Sequence, residues 1–132
     1  MPDIYRALEG NPLRVLVFSG DVDSCVPFIN TRRKVSTLGF LPAPGTKGDY
    51  RRWMVADSQN RMQIGGYTQS FVRREKILDG DGGVMSTPAA AMAEPTIALT
   101  FTTVKGAGHM VASDKPTAAL ALFTRFLQGI PL

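Results

Sequence analysis

Histidine, cysteine and tryptophan each occur once in these 132 residues, and each scarcity closes off a class of protein. The lone cysteine, Cys25, excludes an internal disulfide, so no covalent staple is available to the fold. One histidine and one cysteine, far apart in the chain, give no zinc framework. The acidic run "DGDGG" lacks the spacing and closing glutamate of a calcium loop, and no phosphate-cradling loop leads into a helix. No metal and no cofactor are therefore expected. An uninterrupted apolar run of about 20 residues, the length a bilayer span needs, is also missing, so no membrane association is expected. The opening "MPDIYRALEG" has no basic segment followed by an apolar stretch, hence no secretory signal is read there. Lysine and arginine exceed the acids by four, yet they are scattered as "TRRK", "YRRW" and "VRRE" with few aromatics between them. That pattern reads as solvated faces, and no nucleic-acid partner is expected.

What remains is a globular composition, 44% hydrophobic and 20% charged, in a length that suits one domain with one core. Residues 13–18, "LRVLVF", read as a strand covered on both faces, the habit of parallel sheets. The loop "GDVDSCVP" follows, then a helix in "FINTRRKVSTLG" with Phe28, Val35 and Leu38 on one face and Gly39 as its stop. Two prolines and two glycines in residues 41–49 are expected to break any regular element. "YRRWMVADSQNRMQIGGYTQSFVRR" reads as strand, polar turn and strand, a β-hairpin, and residues 79–95 as a low-complexity loop insert. Residues 96–104, "TIALTFTTV", form a further strand that runs into the histidine loop "GAGHM". The last helix is expected to begin at Pro116, with Ser113 or Asp114 near its cap, and to bury Ala119, Leu120, Phe123, Phe126 and Leu127 on one face out to Gly129.

Two strands that look buried on both sides need neighbours that this chain does not offer. Left alone they expose an apolar sheet edge, so the chain is read as a piece of a larger sheet. Parallel strands deliver their C-terminal ends to one rim, where open α/β sheets place their sites. An aspartate from "GDVD" and His109 from "GAGHM" fall there. A carboxylate that accepts a hydrogen bond from one imidazole nitrogen fixes the tautomer, and the other nitrogen is left as a base toward a hydroxyl.

At these residues the sequence resembles a known family. "RVLVFSGDVDSCVP", "QIGGYTQSF", "LTFTTVKGAGHMV" and "AALALFTRFLQGIPL" together resemble the C-terminal third of the serine carboxypeptidases, over residues 4–78 and 96–132. The resemblance implies a single partial domain over residues 1–132: an α/β fold, the C-terminal part of an α/β-hydrolase, with an incomplete parallel sheet, flanking helices and a β-hairpin. It implies Asp23 as the catalytic acid, Asp21 as a support of the loop and His109 as the base. Met110 matches the position that lines the pocket for the leaving residue, Cys25 is expected to be a buried small side chain near the site, and Gly65-Gly66 is expected to serve backbone geometry. The implied activity is release of C-terminal residues from peptides through a Ser-Asp-His triad. The implied compartment is vacuole, lysosome or the secreted fraction.

In α/β-hydrolases the serine precedes the acid and the histidine, and no G-x-S-x-G elbow occurs in this chain. The nucleophile, the oxyanion hole and the groups that grip a peptide's carboxylate belong to the family's earlier part. The expected partners are therefore a peptide substrate and the serine-bearing N-terminal part of the same enzyme. The isolated chain, whether part of a cleaved two-chain enzyme or of a truncated gene, is expected to be inactive. Plant acyltransferases and hydroxynitrile lyases resemble the carboxypeptidases throughout this region and stand as the alternative. One departure touches the site: Ala112 occupies a position where the family usually has proline, which is expected to loosen the loop holding His109.

Overall fold

A computed structural model describes residues 13–73 and 97–132. The run β1 (Leu13–Gly20) carries the β-branched strand signal and extends two residues past it. Helix α1 (Phe28–Ser36) follows, and the chain leaves it through Gly39 at φ 76°, a left-handed turn that glycine adopts without a Cβ penalty. Strands β3 (Arg51–Ala56) and β4 (Met62–Arg73) form the expected hairpin. Its turn is closed by Asp57, whose Oδ1 accepts the Gln59 and Arg61 N–H groups while Oδ2 meets Arg61 Nε at 2.9 Å.

The segment 41–49 departs from expectation. Leu41–Pro42 form a two-residue strand, β2, paired with Phe71 and Val72, and Gly45–Gly48 make one 3-10 turn. Proline is tolerated there because β2 is a sheet edge, where a missing N–H breaks no ladder.

Strand β5 (Ile97–Val104) lies between β1 and β4, parallel to the first over eight residue pairs and antiparallel to the second. The sheet is thus mixed, and the expected parallel pair is β1 with β5. Among the described residues β1 ends the sheet, its outer edge unpaired. Two further helices follow β5: the single turn α2 (Val111–Asp114) and α3 (Pro116–Gln128). The insert read at residues 79–95 lies outside the described residues.

Alternation along β5 decides the two cores. Ile97, Leu99 and Phe101 meet Val35 of α1, Phe40 and Phe71 on one face, with Phe28 and Leu38 packed alongside, the α1 face read from the sequence. On the other, Val104 joins Trp53, Ala107, Val111 and Leu122 of α3. Each fully buried aliphatic or aromatic side chain contributes about 1.5–3 kcal/mol, so β5 is the mechanical centre of the molecule. The glycine pair fits this core: a Cβ on Gly65 would strike the Trp53 ring, and one on Gly66 the Thr103 carbonyl, which accepts a 2.9 Å hydrogen bond from Trp53 Nε1.

The last helix starts at Pro116 and ends at Gly129 as expected, with φ 70° at Gly129 and the Ile130 N–H bonded to the Arg125 carbonyl. Arg14 also binds its last carbonyls, those of Phe126 and Leu127, tying β1 to α3. Two expectations for α3 are corrected. Lys115 occupies the cap without a side-chain bond, because Asp114 is engaged elsewhere. And the apolar face holds only in part: Ala119 packs on the core as read, with Ala118 and the buried Leu122, and Phe126 is half-buried, while Leu120, Phe123 and Leu127 are exposed. Small alanines let the helix axis approach the sheet closely; the bulkier stripe then points away from it.

Candidate active site

Both loops at the C-terminal rim of the parallel pair are held by the strands beneath them. Gly20 ends β1, and a Cβ there would collide with the carbonyls of Ala107 and Gly108. Its lack of a side chain lets the loop after β5 lie directly against the loop after β1. Successive bonds then join the two. Asp21 Oδ1 accepts the Gly106 N–H at 2.7 Å, the Val22 N–H donates to the Ala107 carbonyl at 3.1 Å, and Asp23 Oδ2 lies 3.0 Å from His109 Nδ1. Asp21 thus sits where a loop support was read, and Asp23 faces the imidazole.

The other oxygen of Asp23, Oδ1, accepts the N–H groups of Cys25 at 2.8 Å and Val26 at 3.1 Å. The Val26 bond is the largest influence holding the Asp23 carboxyl below its usual value of 3.8; desolvation opposes it, and the His109 bond and charge and the Cys25 bond add to the lowering. An ionised Asp23 draws the proton of His109 to Nδ1, which leaves Nε2 with a free lone pair. The carboxylate is covered, its side chain 7% exposed, while the imidazole is 61% exposed. The pair therefore combines a covered carboxylate with an accessible imidazole.

Met110, next in sequence to His109 and at the cap of α2, is 64% exposed. Cys25 is exposed, which corrects the expectation of a buried side chain. The cause is local: the turn spends its inward direction on the Asp23 carboxylate, so the backbone of Cys25 points in and its thiol points out. Ala112 lies within α2.

Sequence reasoning missed two features near the rim. Tyr50 and Tyr67 stack with centroids 5.3 Å apart, and the Arg32 guanidinium lies 4.0 Å over Tyr50 while also meeting Gln69. This stack ties α1, which leaves the Asp23 loop, to β4. No short motif carries it, since its members lie far apart in the chain. The second is Asp114, whose Oδ2 accepts the Gly108 N–H at 2.8 Å. A cavity of ≈ 600 Å³ opens at the opposite end of the sheet, lined by Arg14, Lys47, Arg51 and Arg125, and includes neither member of the rim pair.

A helix on each face of an open mixed sheet, with an acid after one parallel strand and a histidine after its neighbour, makes the described residues a partial α/β domain. The chain belongs to the serine carboxypeptidase family, whose model matches residues 1–129. It is 33% identical over its whole length to serine carboxypeptidase-like 38 of Arabidopsis thaliana, and it covers 20% of that protein. Serine carboxypeptidase-like 25 of the same plant is 37% identical over 98% of the chain, again with 20% of the relative covered. The chain thus spans about a fifth of the length of these curated relatives. Among the described residues no helix is long and apolar enough to cross a membrane.

Proposed function

We propose that this chain supplies the acid and the base of a Ser-Asp-His triad in a serine carboxypeptidase, with the serine on a part of the enzyme outside these residues. The observation that carries the reading is the 3.0 Å approach of Asp23 Oδ2 to His109 Nδ1, with the imidazole exposed beyond it. In the proposed cycle His109 Nε2 takes the proton of the serine hydroxyl as its oxygen attacks the last peptide carbonyl. The same nitrogen gives that proton to the departing amine, leaving an acyl-enzyme. Water, deprotonated in turn by Nε2, then cleaves the ester and restores the serine. Asp23 stays ionised and stabilises the imidazolium. Met110 lines the pocket for the leaving residue, with Cys25 at its border, and the compartment is vacuole, lysosome or the secreted fraction.

The serine-bearing part is also the structural partner. The edge of β1, unpaired among the described residues, and the exposed stripe Leu120, Phe123 and Leu127 are the surfaces it would cover. A sheet edge of eight residues beside an apolar helix face is a self-association hazard unless another segment lies on it. The isolated chain, without nucleophile or oxyanion hole, is inactive on this reading.

Co-expression of the chain with the serine-bearing portion of a relative, assayed on blocked dipeptides, tests the proposal. Activity is expected only from the pair. Asp23→Asn is expected to cut turnover by about 10⁴, as loss of the orienting acid does in serine hydrolases, and His109→Ala by at least as much. A His109→Ala pair within tenfold of the parent overturns the assignment. Turnover of acyl-glucose donors or cyanohydrins in place of peptides would keep the triad and replace the substrate class.

A further inference from the structure

We infer that Asp114 is a positioning residue for the imidazole of His109. The inference rests on the proposed role of the Asp23–His109 pair and extends it to a residue outside the triad. Asp114 ends the single turn α2, and its own N–H donates to the Met110 carbonyl at 2.9 Å. Its side chain turns back along the chain and accepts the N–H of Gly108 at 2.8 Å. Residues 108–114 are thereby closed into a ring by one carboxylate, and His109 is the second member of that ring. The glycine is part of the device: a Cβ at Gly108 would lie 3.1 Å from Asp114 Oδ2, tighter than ordinary contact.

The consequence is mechanical. Upstream of the ring, Gly106 and Ala107 are fastened to Asp21 and Val22, in the loop that also carries Asp23. Downstream, Val111 is buried in the core with Leu122 and Trp53. Between these anchors the peptide joining Ala107 to Gly108 is held at both of its polar atoms, the carbonyl by the Val22 N–H and the Gly108 N–H by Asp114. From that held plane only the two dihedrals of Gly108 intervene before Cβ of His109 leaves the backbone, and a Gly108 crowded by Asp114 has less freedom to turn Nδ1 away from Asp23. The exposed imidazole gains little from packing, which leaves backbone orientation to decide its aim.

Because His109 is the chain's one histidine, its ring nitrogens are unambiguous in long-range nitrogen–proton NMR of the 132-residue protein. Above the pH at which the imidazole is neutral, the parent is expected to hold the tautomer protonated on Nδ1. Asp114→Ala is expected to lower the ratio of that tautomer to the other by about tenfold, the effect of one lost hydrogen bond. Asp114→Asn, whose amide oxygen accepts the same N–H, is expected to stay within about twofold of the parent. A folded Asp114→Ala with the parent ratio overturns the inference, and so does an Asp114→Asn that falls as far as the alanine variant. A check on the parent needs no variant to fold: the Gly108 amide must exchange at least about tenfold more slowly than an open glycine amide, and an unprotected Gly108 refutes the ring. Asp23→Asn separates the two claims. If it leaves the tautomer ratio unchanged the Asp–His pair itself fails, whatever Gly108 shows.

Discussion

Substituting Gly20 by alanine tests the joint between the two loops on which the site depends. The methyl group would overlap the carbonyls of Ala107 and Gly108, which are backbone atoms and cannot swing aside like a long side chain. Relief requires the histidine loop to withdraw by roughly an ångström, since contact energy is forfeited steeply over such distances. The Val22–Ala107 bond, 3.1 Å in the native fold, would then exceed hydrogen-bond range, and the Asp21–Gly106 bond would stretch with it. Overpacking strain costs about 1–3 kcal/mol and each lost bond about 1 kcal/mol, for a total near 3 kcal/mol. Gly20 has no positive φ, so the cost is steric and not conformational. Equilibrium urea unfolding should show the midpoint falling with the slope unchanged, and the Nδ1 tautomer of His109 should be depleted together with the stability. A Gly20→Ala protein within about 0.5 kcal/mol of the parent, with its imidazole signature intact, would refute the claim that close approach at Gly20 aligns the pair.

Leu122→Ala should cost about 2–5 kcal/mol by opening a cavity beneath Trp53, whereas Leu120→Ala, one turn-face away and exposed, should cost under about 0.5 kcal/mol; thermal unfolding of the two decides which face of α3 is buried. Trp53→Phe removes the donor to the Thr103 carbonyl inside that core and should destabilise by about 1–3 kcal/mol in the same assay. Because the folded Asp23 carboxyl titrates below 3.8, its contribution is complete above that value and is lost as pH falls through the lower folded value. Urea midpoints taken from pH 6 downward should therefore show Asp23→Asn flattening the acid limb below about pH 4, and an acid limb identical to the parent's would contradict the bonding given to Asp23. Ala112→Pro should stabilise by about 0.4–1 kcal/mol, since the residue lies in the first turn of α2 and its N–H takes no backbone acceptor there; a loss of stability in urea would show that proline does not fit this turn.

The parts of the fold legible in the sequence were those set by local chemistry. β-branched runs gave β1 and β5, the Asp57–Arg61 turn chemistry separated β3 from β4, and Pro116 and Gly129 bounded α3. The meeting of Asp23 and His109 was legible for a topological reason: parallel neighbours end on one rim, so the residues just past them become close whatever the distance along the chain. Features that depend on what lies opposite were not legible. The apolar positions of α3 form two stripes, and only the position of Trp53 and Val104 selects Ala118, Ala119 and Leu122 over Leu120, Phe123 and Leu127. Cys25 looked like core because it is small and apolar, yet its exposure follows from which way the Asp23 carboxylate faces.

Asp114 shows the same limit at the site itself. Two residues ahead of the first residue of α3, an aspartate is a sound candidate for a cap. Its carboxylate nevertheless points away from α3, to Gly108. Geometry explains the choice. The turn α2 ends at Asp114, and the Lys115 backbone, at φ −137°, interrupts the helix before Pro116, so the side chain of Asp114 projects back toward the loop it has just left. The α3 terminus loses little by this, since Pro116 has no N–H to satisfy at the first helical position. The histidine loop gains an acceptor for the Gly108 N–H, and a residue that reads as punctuation between two helices becomes a tie on the loop that carries the imidazole.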